Sequence, residues 1–312
     1  MANVTHPTLQ LGLIGYPLDH SLSPLLHQAA LSTCGLSGDY RLYPIRPRPA
    51  GSAELEALLA QMRAGTFQGL NVTIPHKQTV LGFLDELTPA AAAIGAVNTI
   101  YRAASRLVGD NTDAPGFLSD LYAHLGVHVN QRTAIVLGAG GSARAVVYSL
   151  LEEGCQVVVA ARRIQQAREL IESFQALPKV RRAVSKDHLQ AIELNPIQLG
   201  TKISYISALY SRNILIINTT PAGMAPNTDV CPWPQEVALP PGTFIYDLVY
   251  NPSNTRLVQM SRSQGIPAAS GLGMLVEQAA LAFEIWTGCR ASRAAMRAAL
   301  TNLNKTHNAN FG

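Results

Sequence analysis

At 312 residues the chain is long for one core, and two domains of about 100–200 residues each are expected. Hydrophobic residues make up 47% and charged ones 14%, which excludes a disordered chain, and a net charge of +4 without a dense Lys/Arg block gives no argument for nucleic acid. No run approaches the ~20 apolar residues of a membrane span, and Met1–Gln10 lacks the basic segment and apolar core of a secretory leader. Four scattered cysteines (Cys34, Cys155, Cys231, Cys289) show neither metal-ligand spacing nor a disulfide framework, so a cytoplasmic protein without a metal is expected.

Strand-like and helix-like runs alternate along the chain, the pattern of parallel α/β folds. Leu11–Gly15 reads as a buried strand, and Pro24–Thr33 as a helix with proline in its first turn. Tyr40–Ile45 is a strand, Glu54–Met62 a helix, Gly69–Ile74 a strand and Lys77–Leu87 a helix. Pro89–Ile94 is alanine-rich, and Asn98–Tyr101 with Leu107–Val108 reads as a strand pair. A helix over Pro115–Leu125 leads to Thr133–Leu137, a continuous apolar run of the kind buried on both faces of a parallel sheet. Helix, strand and helix follow, the first helix running to Leu151, the strand over Gln156–Ala160 and the second helix over Ile164–Phe174. Pro178–Ser211 has weak periodicity. Ile214–Ile217 and Phe244–Leu248 are buried strands; Leu272–Trp286 and Ala291–Leu300 are helices.

Between Leu137 and the helix after it stands Gly138-Ala139-Gly140-Gly141-Ser142-Ala143. Glycines let the backbone turn sharply and approach a pyrophosphate, whose charge sits on the free N–H groups of the helix start. A purely structural turn also fits a glycine cluster, but the flanking strand and helix supply the dinucleotide-binding context. The second strand of that unit ends in Ala161-Arg162-Arg163, where an NAD-binding unit places an acid for the ribose hydroxyl. Two guanidiniums there suit a 2′-phosphate. A solvated surface pair is the other reading of adjacent arginines.

Two polar segments in the first half carry candidate chemistry. Gly69–Lys77 is a strand running into Thr73-Ile74-Pro75-His76-Lys77, and Gly109-Asp110-Asn111-Thr112-Asp113 precedes a helix. Alone, Lys77 reads as a surface lysine and Asp113 as an N-cap. Ligand sites of open α/β sheets lie beyond the carboxyl ends of strands, which favours a role for Lys77.

Taken together these segments resemble the shikimate dehydrogenase family. The matching motifs are Ser21-Leu22-Ser23-Pro24, Asn71-Val72-Thr73-Ile74-Pro75-His76-Lys77, Gly95-Ala96-Val97-Asn98-Thr99 and Gly109-Asp110-Asn111-Thr112-Asp113, followed by Gly138-Ala139-Gly140-Gly141, Asn218-Thr219-Thr220, Tyr246-Asp247-Leu248-Val249-Tyr250 and Gly271-Leu272-Gly273-Met274-Leu275-Val276-Glu277-Gln278. They run in the family's order over nearly the whole chain. The resemblance implies an α/β substrate domain of residues 1–112 and 271–312, with a Rossmann-type NADP-binding domain of residues 113–270 inserted between its two parts. It implies reduction of 3-dehydroshikimate to shikimate with NADPH, in the biosynthesis of chorismate and the aromatic amino acids, by a monomer or homodimer. Lys77 falls on the family's catalytic lysine and Asp113 on its partner carboxylate. Ser21, Ser23, Thr73, Asn98, Tyr250 and Gln278 fall on shikimate-binding positions. Gly138, Ala139, Gly140, Gly141, Ser142, Ala143, Arg162, Leu248 and Gly271 fall on cofactor positions.

The chain departs from the family in three places. Gln166 stands where members carry a second arginine, so Arg163 is expected to supply the second phosphate contact. The segment 178–213 is longer than usual, and Pro89 replaces an acid found in some members. The competing readings are a broader quinate/shikimate dehydrogenase, against which Ser23 argues, and a non-catalytic Rossmann-type regulatory protein, against which Lys77 and Asp113 argue.

Overall fold

Among the described residues, the apolar runs of the sequence pair into two six-stranded sheets. The computed structural model describes residues 8–125, 129–130, 132–178, 180, 188–210 and 214–309. In chain order the first elements are β1 (Leu9–Gly15), α1 (Ser23–Thr33), β2 (Gly38–Pro44), α2 (Ser52–Arg63), β3 (Gly69–Val72), a 3₁₀ turn (Thr79–Phe83), β4 (Glu86–Leu87), α3 (Pro89–Ile94), β5 (Thr99–Ala103) and β6 (Arg106–Asp110). Then come α4 (Asp113–Leu125), β7 (Thr133–Leu137), α5 (Gly141–Glu152), β8 (Gln156–Ala161), α6 (Ile164–Gln175), β9 (Leu189–Glu193), α7 (Pro196–Tyr210), β10 (Ile214–Asn218) and β11 (Phe244–Asp247). The chain closes with α8 (Arg256–Ser263), β12 (Ala268–Ser270), α9 (Leu272–Thr287) and α10 (Arg293–Ala309). It divides into two units, one of residues up to Thr112 and from Leu275 onward, the other Asp113–Met274.

In the first unit the sheet order is β2-β1-β3-β5-β6-β4. β1 lies parallel to β2 and β3, and β5 runs antiparallel to β3 and β6. On α2 the apolar residues Leu55, Leu58, Leu59 and Met62 fall at helical spacing and pack against Leu70, Val72, Ile100 and Leu107 of the sheet. Trp286 of α9 covers Gly69, where the ring leaves no room for even a Cβ, and its indole N–H donates to the Ile100 carbonyl at 3.0 Å. His27 of α1 stacks on Tyr40, ring centroids 4.2 Å apart, and burial holds its imidazole down to about 3, so it stays neutral.

The expected helix over Lys77–Leu87 is not present. Only Thr79–Phe83 forms a 3₁₀ turn, and Glu86–Leu87 pairs with β6 instead. Pro75, Gly82 and the β-branched pair Thr79-Val80 weaken a helix here. Asp85 then ties the segment to the sheet: its carboxylate accepts from the Leu107 N–H at 2.7 Å and pairs with Arg63.

All strand pairings among the described residues of the second unit are parallel, in the order β12-β11-β10-β7-β8-β9. Read from β7 this is the doubly wound order of a dinucleotide-binding fold, with its switch point between β7 and β10. Side chains alternate between two cores. Ala134 and Val136 face Phe117, Val147 and Phe174, whereas Ile135 and Leu137 face Leu199, Ile203, Trp233 and Leu257. The weakly periodic stretch from Pro178 holds β9 and α7; residues 179, 181–187 and 211–213 lie outside the described residues. The cysteines also differ from expectation, since Cys34 and Cys289 are joined in a disulfide across 255 residues of sequence. Their separation hides the pairing: only the return of the C-terminal helices to α1 brings them together.

Candidate active site

Strand register gathers the polar segments of the first unit at one edge of its sheet. β1 and β3 are parallel and end at Gly15 and Val72, so the Ser21–Ser23 loop and Thr73–Lys77 emerge on the same side. β5 runs the opposite way from β3, with Asn71 opposite Thr99, so Asn98 lies at that edge too. Thr99 opposite Asp110 brings in Asn111 and Thr112 at the end of β6.

Backbone and side-chain hydrogen bonds hold the turn that carries Lys77. The Thr73 N–H donates to the Ile14 carbonyl at 2.8 Å, the Tyr16 N–H to the Ile74 carbonyl at 2.8 Å, and the Val97 N–H to the Lys77 carbonyl at 2.8 Å. His76 is buried, with Nε2 2.7 Å from the Ile45 carbonyl, which requires the proton on that nitrogen. Lys77 therefore sits on a pinned turn beside Asn98, with its side chain half-buried. In the serine loop, Ser23 opens α1 without a side-chain cap, and its N–H lies 3.3 Å from Ser21 Oγ.

Asn98 is the best-connected of these residues. Its Oδ1 accepts from the Thr112 N–H at 2.7 Å and the Thr99 hydroxyl at 3.0 Å. Its Nδ2 donates to Thr112 Oγ1 at 2.9 Å and, more loosely, to Gln278 Oε1 at 3.3 Å. Gln278 in turn donates from Nε2 to the Leu275 carbonyl of its own helix at 2.8 Å. Two amides on elements 180 residues apart thus face each other, oriented by their surroundings. The residue that supports them is not among the sequence candidates. Asn71, buried in β3, donates to the Asn98 carbonyl at 3.1 Å and to Thr99 Oγ1 at 3.2 Å, while its Oδ1 accepts from the Tyr40 hydroxyl at 2.8 Å. The signal that could have found it is a polar residue inside an apolar strand, next to Val72-Thr73.

The second unit holds the glycine turn, the arginine pair, Asp113, Leu248, Tyr250 and Gly271. Gly138 follows β7 with φ +108°, and an added Cβ would lie 2.8 Å from Thr219 Oγ1, so only glycine makes this turn. Gly140 stands at the N-cap of α5 with no side-chain cap, and nothing lies within 4 Å of where its Cβ would be. The opening of α5, Gly141-Ser142-Ala143, carries backbone N–H groups toward that open space. Ala139 is half-buried beside it. Arg162 and Arg163 follow Ala161 at the end of the neighbouring strand β8, both exposed. A helix start without a side-chain cap, open space beside Gly140 and two guanidiniums fit a dinucleotide with a 2′-phosphate.

At the ends of β10 and β11 a buried carboxylate organises the loops. Asp247 accepts from Asn218 Nδ2 at 2.8 Å, the Val249 N–H at 3.0 Å and the Thr255 hydroxyl at 2.6 Å. Burial holds its carboxyl above the ordinary value. Asn218 Oδ1 accepts from the Thr220 N–H and hydroxyl at 3.0 and 2.7 Å, so the loop after β10 is tied to the same centre. The Leu248 N–H donates to the Asn218 carbonyl at 2.9 Å, and Gly271 packs against the Leu248 backbone. Burial raises the Tyr250 phenol, which keeps it a donor at neutral pH. Asp113 is buried in the first turn of α4, directly after Thr112 in the chain.

Three family descriptions match the chain: the shikimate dehydrogenase substrate-binding domain over residues 13–100, shikimate/quinate 5-dehydrogenase over 121–194, and the shikimate 5′-dehydrogenase C-terminal domain over 271–301. The NADP(+) shikimate dehydrogenase of Synechocystis sp. is 38% identical over 288 residues, 92% of each chain. The shikimate 5-dehydrogenase of Thermus thermophilus, solved in complex with NADP(H) and shikimate, superposes with a TM-score of 0.77 at 36% identity, over 95% of this chain and 99% of that one. A shikimate dehydrogenase solved in complex with NADP+ gives a TM-score of 0.80 at 32% identity, covering 95% of both chains.

Proposed function

We propose a division of chemical labour among the residues of a chain that belongs to the shikimate dehydrogenase family. It is an NADP-dependent oxidoreductase that interconverts 3-dehydroshikimate and shikimate, a step of aromatic amino-acid biosynthesis. The observation that carries the site assignment is the edge of the first sheet. There Lys77 sits on a pinned turn next to two facing amides, Asn98 and Gln278.

The residues act as follows. Bound NADPH supplies a hydride to the C3 carbonyl. Negative charge develops on that oxygen, and the Lys77 ammonium stabilises it and gives it a proton. Asp113 accepts a hydrogen bond from a ring hydroxyl. Asn98 and Gln278 meet ring hydroxyls with one donor and one acceptor each, and Thr73 adds a hydroxyl. Ser21, Ser23 and the protonated Tyr250 donate to the carboxylate, which is thereby held without a fixed positive charge. On the nucleotide side, the backbone N–H groups of Gly138–Ala143 would hold the pyrophosphate and Arg162 and Arg163 the 2′-phosphate, with Leu248 and Gly271 as further cofactor contacts.

We place the protein in the cytoplasm as a monomer or homodimer. Among the described residues, no helix is long and apolar enough to cross a membrane. The assay is oxidation of shikimate and of quinate, each with NADP and with NAD, followed by absorbance of the reduced cofactor. Shikimate with NADP is expected to give the highest kcat/KM. A preference for quinate or NAD would replace this reading with the broader quinate/shikimate activity.

A further inference from the structure

Two cysteines distant in sequence meet where the two chain segments of the first unit join. Cys34 closes α1, and Cys289 lies in the turn between α9 and α10. Their Cα atoms are 6.5 Å apart, within the span a disulfide bridges. Both residues are half-buried, so a reagent in solvent reaches them. The other two cysteines differ in kind. Cys155 is buried and its thiol is pushed up to about 12, and burial also raises the Cys231 thiol. A thiol held in its protonated form is the weaker nucleophile, and neither Cys155 nor the half-buried Cys231 is disulfide-bonded.

The position of the pair gives it a purpose. α1 begins at Ser23 and α9 carries Gln278 and Trp286. His27 of α1 lies 5.3 Å, ring to ring, from Trp286, and Trp286 seals Gly69 of β3. The bond between Cys34 and Cys289 ties the far end of α1 to the far end of α9, across the junction those rings fill. A disulfide stabilises chiefly by restricting the unfolded chain, and more so for a long loop. In a reducing compartment a half-exposed disulfide is the labile kind.

We propose that Cys34 and Cys289 form a reversible thiol–disulfide site, oxidised by small-molecule or protein disulfides, that clasps the N-terminal and C-terminal segments of this unit together. In the oxidising direction one cysteine thiolate attacks the reagent disulfide, breaking its S–S bond, forming a mixed disulfide and releasing one reagent thiol. The second cysteine thiolate attacks the protein sulfur of that mixed disulfide and releases the second reagent thiol. The protein loses two electrons and two protons, and the reagent disulfide becomes two thiols. A dithiol reverses the sequence.

The test uses the full chain, equilibrated with excess glutathione disulfide or excess dithiothreitol and then freed of reagent. Thiols are counted in denaturant with a chromogenic disulfide, and thermal melting is followed by calorimetry. The oxidised protein is expected to show two thiols, Cys155 and Cys231, and the reduced protein four, with full return on re-oxidation. Reduction is expected to lower Tm by roughly 5–10 °C. Cys34→Ser and Cys289→Ser are expected each to melt near the reduced protein under either reagent, because the remaining cysteine stops at a mixed disulfide with glutathione and closes no bond within the chain. Four thiols after glutathione disulfide treatment would overturn the site. So would equal melting temperatures for the oxidised, reduced and Cys34→Ser proteins. Neither readout depends on catalytic activity, so loss of shikimate oxidation would leave this test intact.

Discussion

Replacing Asp247 with alanine removes the acceptor on which three buried donors converge, and the structure lets the cost be worked out. Asn218 Nδ2 retains the Ala222 carbonyl at 3.3 Å, but the Val249 N–H and the Thr255 hydroxyl lose the carboxylate oxygens they meet at 3.0 and 2.6 Å. Two buried donors left unsatisfied at ~1–3 kcal/mol each give about 2–6 kcal/mol of lost stability. At ~2–4 °C per kcal/mol this lowers Tm by roughly 5–20 °C. Because Leu248 and Val249 follow Asp247 directly, kcat/KM for shikimate oxidation is expected to fall as well. Asp247→Asn keeps the shape and the Oδ1 acceptor and so is expected to cost less. It also changes the pH dependence in a defined sense. Burial raises the Asp247 carboxyl, so the folded state binds this proton more tightly than the unfolded chain. Its contribution is therefore most favourable below the ordinary carboxylate value and declines as pH rises through the raised folded value. That decline should be missing from the asparagine variant. Calorimetric melts of the three proteins between about pH 4 and about pH 8 read both effects. A Tm for Asp247→Ala within ~2 °C of the parent would refute the reasoning.

Three further expectations concern the chemistry. Lys77→Ala should lower kcat by ~10²–10⁴-fold, the scale of a positioned proton donor, with an unchanged melt; near-normal turnover would remove Lys77 from the mechanism. Ser21→Ala and Ser23→Ala should each raise KM for shikimate, at ~1.5–3 kcal/mol per charge-assisted hydrogen bond, and leave KM for NADP in place. An equal loss of cofactor affinity would point to a structural role for the loop. Arg162→Ala and Arg163→Ala should each raise KM for NADP and leave KM for NAD and turnover at saturating cofactor nearly unchanged. If Arg163→Ala leaves NADP discrimination intact, Arg162 alone reads the 2′-phosphate.

How much is legible in the sequence follows from the range of the interactions. Thr133–Leu137 and the glycine turn after it are local patterns, and the strand stands where its apolar run places it. Asn98 and Gln278 are legible only through ordered motifs, because nothing local announces that residues 180 apart will face each other. Lys77–Leu87 has apolar residues at helical spacing, yet the deciding bond runs from Leu107 to Asp85, 22 residues away, and no helix forms. α8 and β12 are not among the elements expected from the sequence: Arg256–Ser263 is one short helix, polar overall, that buries Leu257, Val258 and Ser261 behind the Thr255 cap, and three residues, Ala268–Ser270, are too few for a period. The supports of the site, Asn71 with Tyr40 and Asp247 with Asn218, pair over 31 and 29 residues; a polar residue in an apolar strand is visible locally, but its partner is not.

The interruption of the first unit by the second has a consequence for synthesis. The second unit is one continuous stretch, Asp113–Met274, whereas the first needs Leu275 onward to finish. The ring that covers Gly69 and the helix that lies along α1 both come from that last stretch. As the chain leaves the ribosome at ~5–20 residues per second, the nucleotide fold has all its strands before the other unit can bury its sheet. For those seconds the first sheet waits with the face destined for Trp286 uncovered. Removing the last helices would therefore leave that face exposed for good, a hazard for aggregation as well as a loss of Gln278.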